Sequence, residues 1–228
     1  MRKLNAAALF LLGILFLASC QKEIDFTDGS GGGNGNGGNV SNKDSSFCPT
    51  TPGTWWKYKD SASGALATQT LLNSTKIMNG NTYRAVTVNG GSDTGWYGSP
   101  RPNYYLAQKG VDPGSGASFD MIFHYLNDTA AIGHSWEYIA GHGNGAAALM
   151  KTTIVEKGLT MTVAGKSYKN VSHTTMQLSY DIMGMIIEMA QYDFYVAKGV
   201  GIIRIRTNID ALGTTLQACN DLVDHSIK

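Results

Sequence analysis

From residue 54 onward the chain alternates short β-branched and aromatic runs with Gly-, Asn- and Asp-rich breaks, and no long helical periodicity interrupts them. The clearest alternation is at 202–206: Ile203 and Ile205 fall on one face, Arg204 and Arg206 on the other. The pattern predicts strands near 54–60, 65–78, 82–88, 103–108 and 118–126. It predicts further strands near 135–140, 147–156, 159–164, 167–180, 185–198 and 201–207. Residues 216–227 fit a short terminal helix or a last strand. Strands joined by short turns, without crossover helices, point to an all-β protein: a strongly curved antiparallel sheet or a barrel-like domain.

Similar blocks recur along this pattern. Gly53-Thr54-Trp55-Trp56-Lys57-Tyr58 reads G-x-x-W-x-Y, and so does Gly133-His134-Ser135-Trp136-Glu137-Tyr138. Asn79-Gly80, followed by Tyr83 and Val86, matches Ala164-Gly165, followed by Tyr168 and Val171. Tyr105 to Val111 resembles Tyr195 to Val200. Three pairs in one order, about 80–90 residues apart, predict two duplicated halves, about 47–130 and 131–228. The second Trp of the first block and its Tyr are two apart, so they share a strand face. Asn-Gly is a hairpin signal. Tyr and Val three apart need a bulge to share a face.

Composition agrees with a β protein. Only 15% of residues are charged, and there are 28 glycines. Net charge is +1, too balanced for a nucleic-acid partner. The first residues change the picture. Arg2 and Lys3 precede an apolar run from Ala6 to Leu17, too short for a comfortable membrane span and laid out as an export signal. Leu17-Ala18-Ser19-Cys20 closes it and resembles the lipobox of bacterial lipoproteins. The resemblance implies a signal peptide over 1–19, cleavage before Cys20 and acylation of Cys20, hence a membrane partner reached through the N-terminal lipid. Gln21-Lys22-Glu23-Ile24-Asp25 is similar to the start of many Bacteroidota lipoproteins. Pro52 to Tyr58 and Ala197-Lys198-Gly199-Val200-Gly201 look like landmarks of uncharacterised lipoproteins of that group. This implies a location, lipid-anchored at the bacterial outer membrane and facing periplasm or surface. It implies no activity.

Residues 20–46 then read as a lipidated Cys and a flexible Gly/Asn/Ser tether before a β-rich domain over 47–228. Residues 28–46 alone give a root-mean-square reach of roughly 20–25 Å. With Cys20 acylated, Cys48 and Cys219 remain in an exported chain, and an oxidising compartment predicts a disulfide joining the domain's two ends.

Candidate chemistry is sparse. Gly165-Lys166-Ser167 imitates the end of a phosphate loop, but Thr160 stands where that loop needs Gly. His124, His134 and His142 are unevenly spaced and carry no metal-ligand motif. Met176, Met183, Met185 and Met189 form a loose group suited to filling a core or lining an apolar cavity. Trp96 and Tyr97, in the Gly/Pro-rich stretch 95–102, with Tyr104 beyond it, are candidate ligand-binding aromatics. No catalytic residue, cofactor or metal is assigned. The sequence supports a membrane-anchored, non-enzymatic binding or accessory module. Its partner would be a surface glycan, an apolar ligand or an envelope protein. A lipocalin-like carrier and a surface hydrolase are the alternatives.

Overall fold

The computed structural model describes residues 46–91, 94–112, 115–143, 145–211 and 214–228. Cys20, the leader and nearly all of the tether lie outside them. Twelve strands run in chain order: β1 (Trp55–Asp60), β2 (Leu66–Met78), β3 (Asn81–Val88), β4 (Thr94–Gly98), β5 (Asn103–Val111), β6 (Ser118–Asn127), β7 (Ser135–His142), β8 (Ala146–Val163), β9 (Lys166–Ile182), β10 (Met185–Ala197), β11 (Gly201–Ala211) and β12 (Thr214–Ser226). They form one antiparallel sheet in which each strand pairs with its chain neighbours, and β1 pairs with β12. The ladder is interrupted only between β6 and β7. The fold is all-β, a nearly closed barrel, as the alternation predicts.

Each expected strand forms, with three adjustments. Residues 147–156 and 159–164 belong to one strand, β8, which stays paired to β9 through several register shifts. The terminal segment is a strand. β4 falls in the Gly/Pro-rich stretch 95–102, where the pattern predicts no strand, since glycines weaken a strand signal. Here they make room. A Cβ on Gly98 would sit 2.8 Å from the Tyr83 ring, and one on Gly95 would sit 3.2 Å from Val86 Cγ1. The expected bulges occur, but differently in the two blocks. Next to Tyr168 and Val171 the extra residue is in β9, where Asn170 takes a φ of 54°. Next to Tyr83 and Val86 the irregularity lies in the partner, between Leu71 and Thr75 of β2.

The first two repeated blocks fall on β1 and β7, and on β3 and β9. The third pair falls on β5 and on the end of β10, which are not equivalent places in two six-stranded halves.

Closure is by overlap. The inner-face aromatics of β7 lie against the outward side chain of His124 on β6, with Trp136 at 4.8 Å and Tyr138 at 6.1 Å between ring centroids. β6 is thus an edge strand tucked beneath β7, and side chains satisfy part of its edge. The His124 N–H donates to Tyr138 Oη at 2.6 Å. Thr152 Oγ1 of β8 donates to the His124 carbonyl at 3.1 Å, and Thr174 Oγ1 of β9 to the Tyr125 carbonyl at 2.8 Å. An open edge would otherwise present bare N–H and C=O groups to other chains.

Rings fill the interior. Tyr104, Tyr125, Tyr180, Phe123 and Phe194 are fully buried, with Met150, Met176 and Ile154 between them. One end is stopped by the chain itself. Ser46 accepts the Gly199 N–H at 2.6 Å, and Phe47 packs edge-on against Tyr104 at 5.9 Å. The repeated motif serves this end: Trp56 Nε1 donates to the Val200 carbonyl at 2.6 Å, and Tyr58 Oη to the Ile202 carbonyl at 2.8 Å. Ser46 therefore lies beside the β10–β11 turn.

Candidate functional site: an apolar hairpin at the far rim

β10 runs from the opposite rim to that turn. Its 13 residues span about 40 Å at 3.2–3.4 Å each, so the rim lies that far from Ser46. There β9 and β10 join in a hairpin, with β8 beside β9 as far as Ile182 and β11 pairing with β10 only from Ala190 onward. Ile182 pairs with Met185 across the two-residue turn Met183-Gly184. Both turn residues have positive φ, 53° and 84°, as the tight hairpin turn of this class requires. Asp181 Oδ1 accepts the Gly184 N–H at 2.8 Å and closes the turn.

The hairpin is apolar and uncovered. Met183 is 92% exposed, Met185 64%, Ile186 59% and Ile187 42%. Cross-strand pairing shows why. Ile187 sits opposite Tyr180, and Met185 opposite Ile182, so they continue the sheet's inner face toward the rim. Ile186 points to the other face. Below the rim the inner face becomes a small cleft of about 30 Å³, lined by Met121, Phe123, Leu178, Tyr180, Met189 and Tyr192. That is room for about two waters, far below the several hundred Å³ of a small-molecule site.

Two clusters elsewhere carry titratable groups. On the outer face, His173 of β9 stacks on Tyr195 at 4.3 Å. Its Nδ1 is 3.3 Å from Glu156 Oε2 and its Nε2 is 3.0 Å from Asp193 Oδ1. Burial opposes the charged ring, but the hydrogen bonds to Asp193 and Glu156 outweigh it and raise the pKa. Both ring nitrogens are engaged by carboxylates, so the cluster holds strands together rather than offering a base. Beside it, Arg204 grips Asp221 through Nε at 2.5 Å and Nη2 at 2.6 Å. At the overlap of β7 on β6, His124 lies 4.5 Å from Tyr105 and 4.8 Å from Trp136, and its Nε2 is buried with no hydrogen-bond partner. Burial pushes its pKa down to about 4.

The residues singled out in the sequence disperse. Trp96 lies on the outer face with the Lys76 ammonium 5.9 Å above its ring. Tyr97, its neighbour in β4, points inward against Trp56 and donates to Gln69 Oε1 at 3.0 Å. Tyr104 is fully buried and donates to Asp128 Oδ2 at 2.8 Å. The three share no surface, because consecutive strand residues face opposite ways. His134 stacks on Trp136 at 6.0 Å, whereas His142 ends β7 elsewhere. The methionines separate too: Met176 is core, while Met183 and Met185 are exposed at the rim. No disulfide joins Cys48 and Cys219; both are thiols. Cys48 is buried inside with Tyr97 and Tyr125, whereas Cys219 lies on the outer face of β12 beside Arg204 and Asp221. The expected disulfide is corrected for that reason: the sheet stands between the two sulfurs. Among the described residues no three His, Cys, Asp or Glu converge to hold a metal ion.

Sequence reading passed over Ile186 and Ile187. The signal was present: Ile182 to Ile187 is an uncharged apolar run with Gly184 at its centre, where a hairpin tip is ordinarily polar.

No family model matches the chain, and no curated protein matches it. Among solved structures it is similar to a protein of Parabacteroides distasonis ATCC 8503 described as a lipoprotein. That match has 12% identity and a TM-score of 0.44, covering 79% of this chain and 98% of the other. It is also similar to a Bacteroides fragilis NCTC 9343 protein described as exported, with a YmcC-like fold. Here identity is 9% and the TM-score 0.45, covering 78% of this chain and 97% of the other.

Proposed function

We propose that this chain is a lipid-anchored, non-enzymatic binding module of the bacterial envelope, held at the outer membrane by Cys20 and working through its far rim. The observation that carries the reading is the position of the exposed apolar hairpin, at the end opposite Ser46 and Gly199. Scattered apolar residues on a surface are ordinary. Four together on one hairpin tip are not, because each forgoes about 1.5–3 kcal/mol that burial would supply. A barrel packed with rings supplies rigidity, and the rim supplies contact. Among the described residues, the ring-filled interior speaks against a carrier that encloses an apolar ligand.

The test uses the chain's own methionines, whose oxidation follows exposure. Met183 and Met185 should oxidise readily in the purified protein and be protected in native envelope membranes. Equal oxidation in both settings defeats the reading. Fractionating Cys20→Ala cells checks the anchor: the variant should leave the membrane fraction or persist as an unprocessed precursor.

A further inference from the structure

We infer that the end of the barrel nearest Ser46 docks on an anionic bilayer surface, through a basic face made by the β8–β9 arm and the β10–β11 turn. The inference rests on the reading of Cys20 as the anchor and adds the membrane-facing surface of the domain.

The face is built by an arm that outlasts its neighbour. β10 ends at Ala197, opposite Val171, while β8 and β9 run on, paired as far as Val163 and Lys166. Register shifts between Ile154 and Met161 bend the arm. It crosses the ends of β10 and β11 and reaches β12, where Lys166 Nζ is 2.9 Å from Asp224 Oδ1 and the Tyr168 ring is 6.2 Å from His225. Lys198, in the β10–β11 turn, donates its N–H to the Asn170 carbonyl at 3.3 Å, and Gly199 donates to Ser46. Arm, turn and Ser46 therefore meet at one end.

Burial sorts the two sides of the arm. Val163 and Tyr168 are buried, and Leu159 and Met161 pack against the core. Thr160, Thr162, Ser167 and Lys169 are exposed. From Lys157 to Asn170 the chain carries Lys157, Lys166 and Lys169 and no carboxylate. Lys198 adds a fourth charge. It is exposed like Lys169, and among the described residues neither has a carboxylate at ion-pair distance. Lys157 Nζ donates to the Asp128 and Ala130 backbone carbonyls at 2.8 and 3.0 Å, neutral groups that leave its charge in place. The nearby carboxylates are engaged: Asp128 by Tyr104, Glu156 by His173 and Asp224 by Lys166. The far rim has the opposite sign, with Asp60, Asp120, Asp181 and Glu188 against Lys59 and Lys109. The barrel is thus polarised along its axis although the chain's net charge is only +1.

Charge and position select the occupant. Ser46 stands 26 residues (46 − 20) from Cys20. A Gly/Asn/Ser sequence of that length has a root-mean-square span of roughly 25–30 Å, so the surface holding the lipid meets this end at an effective concentration on the millimolar scale. Each lysine near an anionic surface strengthens binding about fivefold. For Lys157, Lys169 and Lys198 together that is on the order of a hundredfold. Acyl chain and basic patch are the two signals that together hold a protein on a membrane. The acidic rim is repelled by the same surface and points away from it.

The experiment places the acylated full chain on phosphatidylcholine vesicles, with and without phosphatidylglycerol, and reads lysine acetylation by mass spectrometry. With phosphatidylglycerol, labelling of Lys169 and Lys198 should slow at least threefold, while Lys59 and Lys109 at the rim change less than twofold. Salt at 0.5 M, where the screening length is about 4 Å, should abolish the protection. No protection, or equal protection on both vesicles, overturns the inference. The double variant Lys169→Gln/Lys198→Gln should keep Tm within about 2 °C, since both side chains are exposed. Its Lys157 and Lys166 should label within twofold of their rate on neutral vesicles, and undiminished protection there also overturns the inference. Lysines protected in native envelopes but not by anionic vesicles assign the face to an acidic protein or glycan, and the membrane inference fails. Flotation separates this from the anchor: a chain that floats with neutral vesicles yet shows no protection defeats the docking alone, whereas one that does not float defeats the anchor and the docking with it.

Discussion

Substituting Gly141→Ala tests the closure of the barrel most directly. Gly141 lies in β7 where that strand crosses β6. A Cβ added there would fall within the Asp120 backbone carbonyl and 2.8 Å from the Phe119 ring. Neither obstacle is the free end of a flexible side chain, so β7 must lift. Overpacking of this kind costs about 1–3 kcal/mol. Lifting also strains the contacts beneath the overlap, in particular the His124 N–H bond to Tyr138, and a hydrogen bond contributes about 0.5–1.5 kcal/mol net. The expected loss is about 2–4 kcal/mol. For a domain of this size each kcal/mol shifts Tm by roughly 2–4 °C, so Tm should fall by about 5–15 °C. Gly145→Ala is the control, since a Cβ there meets nothing within 4 Å. Thermal unfolding followed by circular dichroism reads both. A Gly141→Ala protein melting within a degree of wild type would refute closure by overlap.

The two histidine clusters predict opposite pH dependences. His124 has a folded pKa near 4 against an unfolded value near 6.5, so the fold binds fewer protons than the unfolded chain. Its neutral form stabilises fully above about pH 6.5, and stability falls as pH drops from there toward 4. The loss amounts to about 2–3 kcal/mol after allowing for partial exposure. Urea midpoints against pH should lose that acid slope in His124→Gln, and an unchanged slope would contradict it. His173 runs the other way: its raised pKa gives stability that is complete below about pH 6.5 and lost as pH rises through the folded value. His173→Gln should therefore cost more at pH 5.5 than at pH 9. Because Cys48 and Cys219 are both thiols, dithiothreitol should leave Tm unchanged, and a drop of several degrees would reveal a bridge after all.

The sequence by itself determined what rests on local repetition. Alternation placed ten of the twelve strands or their parts and left the terminal one between helix and strand, because side chains on a pleated strand must alternate. Ile203 and Ile205 are buried, as that pattern required, and Arg204 turns outward to Asp221. The Gly/Pro stretch misled, because Gly95 and Gly98 are small to admit the side chains of Val86 and Tyr83, a demand made by another strand. The apolar run Ile182 to Ile187 was equally visible. Its exposure was not, since exposure depends on where neighbouring strands stop. The same holds for the overlap of β7 on β6, and for the placement of Cys48 and Cys219 on opposite faces of the sheet. Each is a relation between residues far apart in the chain. Tertiary structure alone decided them, because a strand's own pattern says which side chains share a face, while only its neighbours say what that face meets.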